Sequence, residues 1–318
     1  MRKYLARRAV YALGTLLGVS LIIFVVLRVL PGDPLVAILG VEGHARMAAE
    51  DRVRIMADLG LSAPLPVQYG HWLSDIAAGQ LGKSFFRGDT VAEQILHRGP
   101  ISAEIAVLSL IVSWLVGLPV GILSAFKPNS WPDGIARALS VLFIAIPGFW
   151  LGMLIVLAML FWFGYKAPIV IVHVWQSPWE NLQIVIGPAL VLGLAQGAYI
   201  ARMSRSCLLE VIGEDFVRTA RAKGVAESGV LLRHGLKNAL IPIVTVVGVQ
   251  AGYLLGGAVL TETVFAWPGV GTLMVQGILA RDFPLVQGCV LVVALAFAVI
   301  NLAVDLLYAW LDPRIRYE

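Results

Sequence analysis

The chain has 318 residues, of which 59% are hydrophobic and 14% charged, with a formal net charge of +4 and a mean hydropathy of +0.84. Soluble domains carry roughly 25% charged residues, so this composition excludes an ordinary soluble domain and describes a polytopic integral membrane protein. The positive residues gather at the ends of apolar runs, where membrane orientation accounts for them without a nucleic acid partner.

Arg2, Lys3, Arg7 and Arg8 precede an apolar run at 9–30. At 1.5 Å per residue, such a run crosses a hydrocarbon core of ~30 Å. It exceeds the h-region of a signal peptide and no small-x-small cleavage site follows. The expectation is a first transmembrane helix with its N-terminus inside and Arg28 snorkelling to the outer interface.

Pro31-Gly32-Asp33-Pro34 stops that helix. Residues 31–100 are soluble in character and read as an external helical segment without a large core of its own. Within it, 48–59 sets Arg and Asp opposite Val53, Met56 and Leu59, with Gly60 as the cap, and 67–78 is similarly helical. Thr90-x-x-Glu93 has capping-box spacing. The hexapeptide GQLGKS at 79–84 superficially resembles a phosphate-binding loop. That pattern requires a glycine five positions before the Gly-Lys pair, and Ala77 stands there, so no ATP site is expected on this chain.

Further apolar runs at 105–126, 139–163, 184–200, 239–260 and 286–307 bring the expected spans to six, in an all-α fold with both termini cytoplasmic. Lys127, Arg137, the 201–238 loop and the Arg314, Arg316 tail then fall inside, while Lys166 and Arg281 occupy sparse outer loops, in accord with the positive-inside rule. The expected organisation is a tail and first helix at 1–30, an external segment at 31–100, a permeation core at 101–310 and a tail at 311–318. Trp131, Trp150, Trp162, Trp175, Trp179, Trp267 and Trp310 mostly fall near span ends, where aromatic belts form. Pro147-Gly148 and Gly187-Pro188 lie inside spans and are candidate kinks.

Cys207 and Cys289 would have to bond across the bilayer, so no disulfide is expected. His44, His71, His97, His173 and His234 are scattered without ligand spacing, and no metal site is expected. Few polar residues lie inside the spans: Gln196, Gln250, Asn301 and Asp305. Gln196, Gln250 and Asn301 are candidates for a substrate path, with interhelical hydrogen bonding as the alternative, and Asp305 can pair with a nearby Arg. There is no intramembrane charge relay, HExxH or GxSxG. A transporter driven from outside the chain needs none of these.

The long polar interruption at 199–242 carries Arg202, Arg205, Arg218, Arg221, Lys223, Arg233 and Lys237 and is expected to face the cytosol. Its centre, Glu214 to Gly224, reads as one short helix. Glu214 and Asp215 at its start and Arg218, Arg221 and Lys223 toward its end complement the helix dipole, and Gly224 suits the C-terminal cap. Phe216, Thr219 and Ala220 share a face at i, i+3, i+4, with Ala222 among the other small residues, and a small-residue face lets another protein's backbone approach.

Thr219-Ala220-Arg221-Ala222-Lys223-Gly224 resembles the EAA motif of ABC importer permeases of the dipeptide, oligopeptide and nickel class. Ala220 and Gly224 register with that motif, whereas Arg218 and Thr219 stand where it has Glu and its first Ala. Leu30 to Pro34, Leu59-Gly60-Leu61 with Pro66 to Tyr69, Glu262 to Gly271, and Leu311 to Ile315 are similar to further signatures of the family, in order along the chain.

The resemblance implies a type I ABC importer permease in a bacterial cytoplasmic (inner) membrane, without enzymatic activity of its own. It implies alternating access driven by two partner ATPase subunits that bind ATP and Mg, a second non-identical permease, and an extracytoplasmic substrate-binding protein. The short helix, Glu214 to Gly224, would be the coupling helix that sits on an ATPase. Peptides are the implied substrates, with glutathione or a nickel chelate as alternatives. A stand-alone secondary transporter or channel is the competing class.

Overall fold

The computed structural model describes residues 2–29, 35, 46–58, 60–85, 88–164, 171–226, 229–230 and 235–311. The turn at 31–34, Lys166, Arg233 and the tail at 312–318 lie outside them, as do the side chains of Lys237 and Trp310. Helix dominates the described residues, and an isolated antiparallel bridge joins Lys83 to Thr90. In chain order the helices are α1 (Arg2–Val29), α2 (Ala49–Asp58), α3 (Leu65–Ala77), α4 (Val91–Phe126), α5 (Trp131–Ala145), α6 (Gly148–Phe163), α7 (Pro178–Ile212), α8 (Asp215–Ala222), α9 (Leu236–Val264), α10 (Val270–Ala280) and α11 (Phe283–Leu311).

Among the described residues, α1, α4, α7 and α11 are each long and apolar enough to cross a membrane. The third expected span differs from a single rod. It is two helices, α5 and α6, meeting at 100°. Pro147 is the cause: a proline pushes the residue before it out of the helical region, and Ile146 is extended at φ −74°, ψ 124°. Pro188, by contrast, sits inside the continuous α7. The fifth expected span lies within α9, several of whose side chains are outside the described residues.

The chain groups into two compact units, 1–99 with 269–298, and 100–268 with 299–318. In the first, an aromatic cluster fastens α3 to α1: Phe24 lies 5.2 Å from Tyr69 and 6.0 Å from Trp72 between ring centroids. Ser20 and the Tyr69 hydroxyl share a 2.8 Å hydrogen bond. Arg28 lies over the rings of Phe24 and Phe283 and donates from Nε to Gln68 Oε1 at 3.0 Å. The expected capping box closes in both directions, with Thr90 N–H donating to Glu93 Oε2 at 3.1 Å and Glu93 N–H to Thr90 Oγ1 at 3.2 Å.

The GQLGKS segment opens no helix. It runs from the end of α3 into the bridge at Lys83, and Ser84 is buried with its hydroxyl donating to Asp282.

In the second unit α7 is the central helix, packed against α5, α6 and α9. It also meets α4 where small residues let the backbones touch. A Cβ on Gly121 would lie 2.6 Å from the Ala201 carbonyl oxygen, and one on Gly117 would strike the Gly197 carbonyl. At the other end, the Phe265 ring occupies space that exists because Gly152 and Gly187 lack side chains. Trp267 departs from the belt expectation: it is buried in a cluster with Ile101, Ile105, Ile184 and Val185. The buried Glu262 carboxylate accepts from the Ser102 hydroxyl at 2.6 Å, and Asn181 donates to Glu104 at 2.6 Å.

Candidate functional site

The stretch 202–226 folds as the end of one long helix followed by a short one. The run of helix formers after Ile200 carries α7 on to Ile212. Gly213 caps it, and Glu214 turns extended at ψ 151° to begin α8. Asp215 lies in the first turn and Arg221 in the last, complementing the helix dipole. Arg218 pairs with Asp215 at 3.2 Å on the solvent side, an exposed contact of little energetic weight. The Thr219 hydroxyl donates to the Asp215 carbonyl at 3.0 Å.

Gly224 takes φ +79°, the left-handed region that glycine enters without a Cβ clash. Gly224 N–H donates to the Arg221 carbonyl at 2.9 Å and Val225 N–H to the Ala220 carbonyl at 3.3 Å. These two bonds are the Schellman closure.

The helix divides between a fixed underside and an open top. Val217 and Ala220 are buried with Val230. Phe216 remains 44% exposed, and Glu214, Asp215, Arg218, Thr219, Arg221, Ala222, Lys223 and Gly224 are exposed beside it. Ala220 therefore points away from the Phe216 and Thr219 surface that periodicity assigned it to. The signal that places it is the i, i+3 pair of Val217 and Ala220, which finds Val230 across the following turn.

One buried carboxylate, that of Asp133, is not among the candidates the sequence offered. Asp133, near the start of α5, is 1% exposed and accepts from Arg205 of α7 through Nε at 2.7 Å and Nη2 at 2.9 Å. Asn129 N–H donates to it at 2.8 Å, and so does the Ser124 hydroxyl. Arg137 approaches the same carboxylate at 3.6 Å. Arg205, Asn129 and Ser124 thus all donate to one buried carboxylate. Asp133 precedes the apolar stretch that starts at Leu139. No sequence motif joins two residues so far apart, and only the fold brings them together.

Of the intramembrane candidates, Gln196 on α7 and Gln250 on α9 meet, with Nε2 donating to Oε1 at 3.5 Å. Both are half-buried, as is Asn301 on α11. Cys207 and Cys289 are both free and buried. Among the described residues no group of three or more His, Cys, Asp or Glu side chains gathers where a metal ion could be held.

Residues 117–317 match the family profile described as "Binding-protein-dependent transport system inner membrane component", and residues 1–106 match that of its N-terminal region. The chain is 38% identical, over the full length of both proteins, to a dipeptide transport system permease protein of Alkalihalophilus pseudofirmus. It is 40% identical, again over the full length of both, to a glutathione transport system permease protein of Salmonella choleraesuis. A solved chain from inward-facing forms of the MetNI methionine ABC transporter superposes with a TM-score of 0.54 at 18% identity, covering 69% of this chain and 96% of that one. That likeness concerns the fold.

Proposed function

Because the chain belongs to the binding-protein-dependent transport system inner membrane component family, we propose that it is the permease subunit of an ABC importer for peptides, with α8 as the helix that docks on an ATPase. As an inner membrane component it is a multi-pass membrane protein that works with an ATPase and a substrate-binding protein. Two ATPase subunits carrying ATP and Mg and a second, non-identical permease complete the proposed complex, and this chain hydrolyses nothing itself.

The observation that carries the docking role is the exposed Phe216 on a helix whose other side is pinned by Val217 and Ala220. An aromatic standing in water on a rigid, capped helix is the anchor type that dominates binding energy at interfaces. ATP-driven closure of the ATPases moves the permease only if the docking helix binds their open and closed forms differently. A helix fixed on one face and free on the other can transmit such a difference.

Peptides are the proposed cargo because the full-length relatives are named for dipeptide and glutathione transport. Glutathione, itself a tripeptide, is the nearest alternative, and a nickel chelate the next. Gln196, Gln250 and Asn301 are proposed to line the path.

The test is the assembled complex in proteoliposomes with its binding protein. ATP-dependent uptake of dipeptides, reduced on the order of 100-fold by Phe216→Asp with insertion unchanged, is the expected result. Full uptake and retained ATPases in Phe216→Asp would sink the docking role. Uptake down an ion gradient by this chain alone would establish the stand-alone transporter. Competition by glutathione but not by dipeptides would change the cargo.

A further inference from the structure

We propose that Asp133 and Arg205 are positioning residues for the coupling helix: their buried ion pair joins the turn after α4, the start of α5 and the end of α7 into one lever on which α8 is mounted. This rests on α8 being the ATPase docking element. The geometry of the pair supports the role. Arg205 presents two donors to the two Asp133 oxygens, at 2.7 and 2.9 Å, and a bidentate contact fixes orientation as well as distance.

The same carboxylate also shapes the turn between α4 and α5. It accepts from the Asn129 N–H, and Asn129 holds a left-handed φ of 61°. With the Ser124 hydroxyl added, one buried side chain bonds α4, the turn and α7 at once.

The path from this group to the docking helix is short. Arg205 lies inside α7, which continues unbroken to Ile212, and only Gly213 and Glu214 separate it from α8. Gly121 on α4 abuts Ala201 and Ser204 with no room for a side chain, so α4 follows α7 as well. Stability alone does not require such a pair, since well-packed apolar residues serve as well or better at buried positions. A fixed orientation between α5 and α7 does require directional bonds. A push received at Phe216 is thereby delivered to α5 in addition to α7.

The experiment uses the whole complex, spin-labelled through Trp131→Cys and Glu210→Cys after replacement of Cys207 and Cys289 by Ala. Trp131 is 78% exposed and Glu210 is exposed on the last turn of α7, ahead of the docking helix, so both accept a label. With the ion pair intact, the distance distribution between the labels is expected to be the same without nucleotide and with bound ATP. In Asp133→Asn it is expected to shift or broaden on ATP binding, while substrate moved per ATP hydrolysed falls about tenfold and the KM for ATP stays unchanged.

An ATP-dependent shift with the pair intact, or wild-type coupling in Asp133→Asn, overturns the proposal. If Asp133→Asn does not insert, the double variant Asp133→Leu, Arg205→Met replaces the pair by apolar packing. Full coupling in that variant also overturns the lever. Phe216→Asp separates the two claims. ATPases that stay bound to it refute the docking role. ATPases lost from it, with coupling intact in Asp133→Asn, refute the lever alone.

Discussion

The polar segments at 46–99 and 202–230 interrupt the same apolar chain, yet the short helices within them are held down differently. In the first, the rings of Tyr69 and Trp72 pack against Phe24, Gln68 bonds with Arg28, Leu61 and Ala63, and Thr90 and Glu93 cap each other. In the second, Val217 and Ala220 are the buried residues of α8, packed with Val230, while Phe216 stands exposed beside Glu214, Asp215, Arg218, Arg221 and Lys223. A segment tied to α1 and to its own turns by side-chain bonds is an elaboration of its own unit. One that is capped, anchored on a single face and left open on the other fits the docking role proposed for α8.

Several substitutions would break or sharpen that contrast. The largest effect is expected from Phe216→Asp, with transport down on the order of 100-fold and little change in the thermal stability of the isolated chain. Equal losses of transport and stability would show that Phe216 belongs to the chain's own packing. Trp72→Ala should do the reverse. Removing its half-buried ring costs about 2 kcal/mol locally, measured as faster proteolytic nicking of the 46–99 segment, with an ATPase complement that remains whole.

Gly224→Val forces a β-branched residue into the left-handed region at a cost of about 1–2 kcal/mol. Its signature would be fraying of α8 in amide hydrogen exchange and weaker ATPase co-purification; unchanged exchange at 220–225 would mean that the Schellman closure is dispensable. The smallest effect is expected at Thr90→Ala, about 1 kcal/mol from losing one cap. Hydrogen exchange should rise in the first turn of α4 while uptake is unaltered.

Legibility from sequence followed the range of the interaction. The helices expected within 31–100 emerged within a few residues of their expected limits, α2 at Ala49–Asp58 against 48–59 and α3 at Leu65–Ala77 against 67–78. The expected helix from Glu214 to Gly224 appears as α8 with Glu214 as its N-cap and Gly224 just beyond its C-cap. Periodicity failed for the face of α8. It ranks residues by their own helix and cannot see Val230, which draws Ala220 inward. Belt logic failed for Trp267 in the same way, because proximity to a span end does not reveal the isoleucines that enclose it.

By itself, then, the sequence determined the membrane class, the apolar runs, the capping box at Thr90 and Glu93 and the turn at Gly224, because each depends on composition or on groups within one helical turn. It also located the weak point at Pro147, since the steric push of proline on its predecessor is local. The tertiary structure decided how far that point bends, 100° between α5 and α6, and which side of α8 stays open. It also chose Arg205 as the partner of Asp133 and Asp282 as the partner of Ser84. Such pairings join residues far apart in the chain, and no periodicity encodes which distant donor will reach a buried carboxylate.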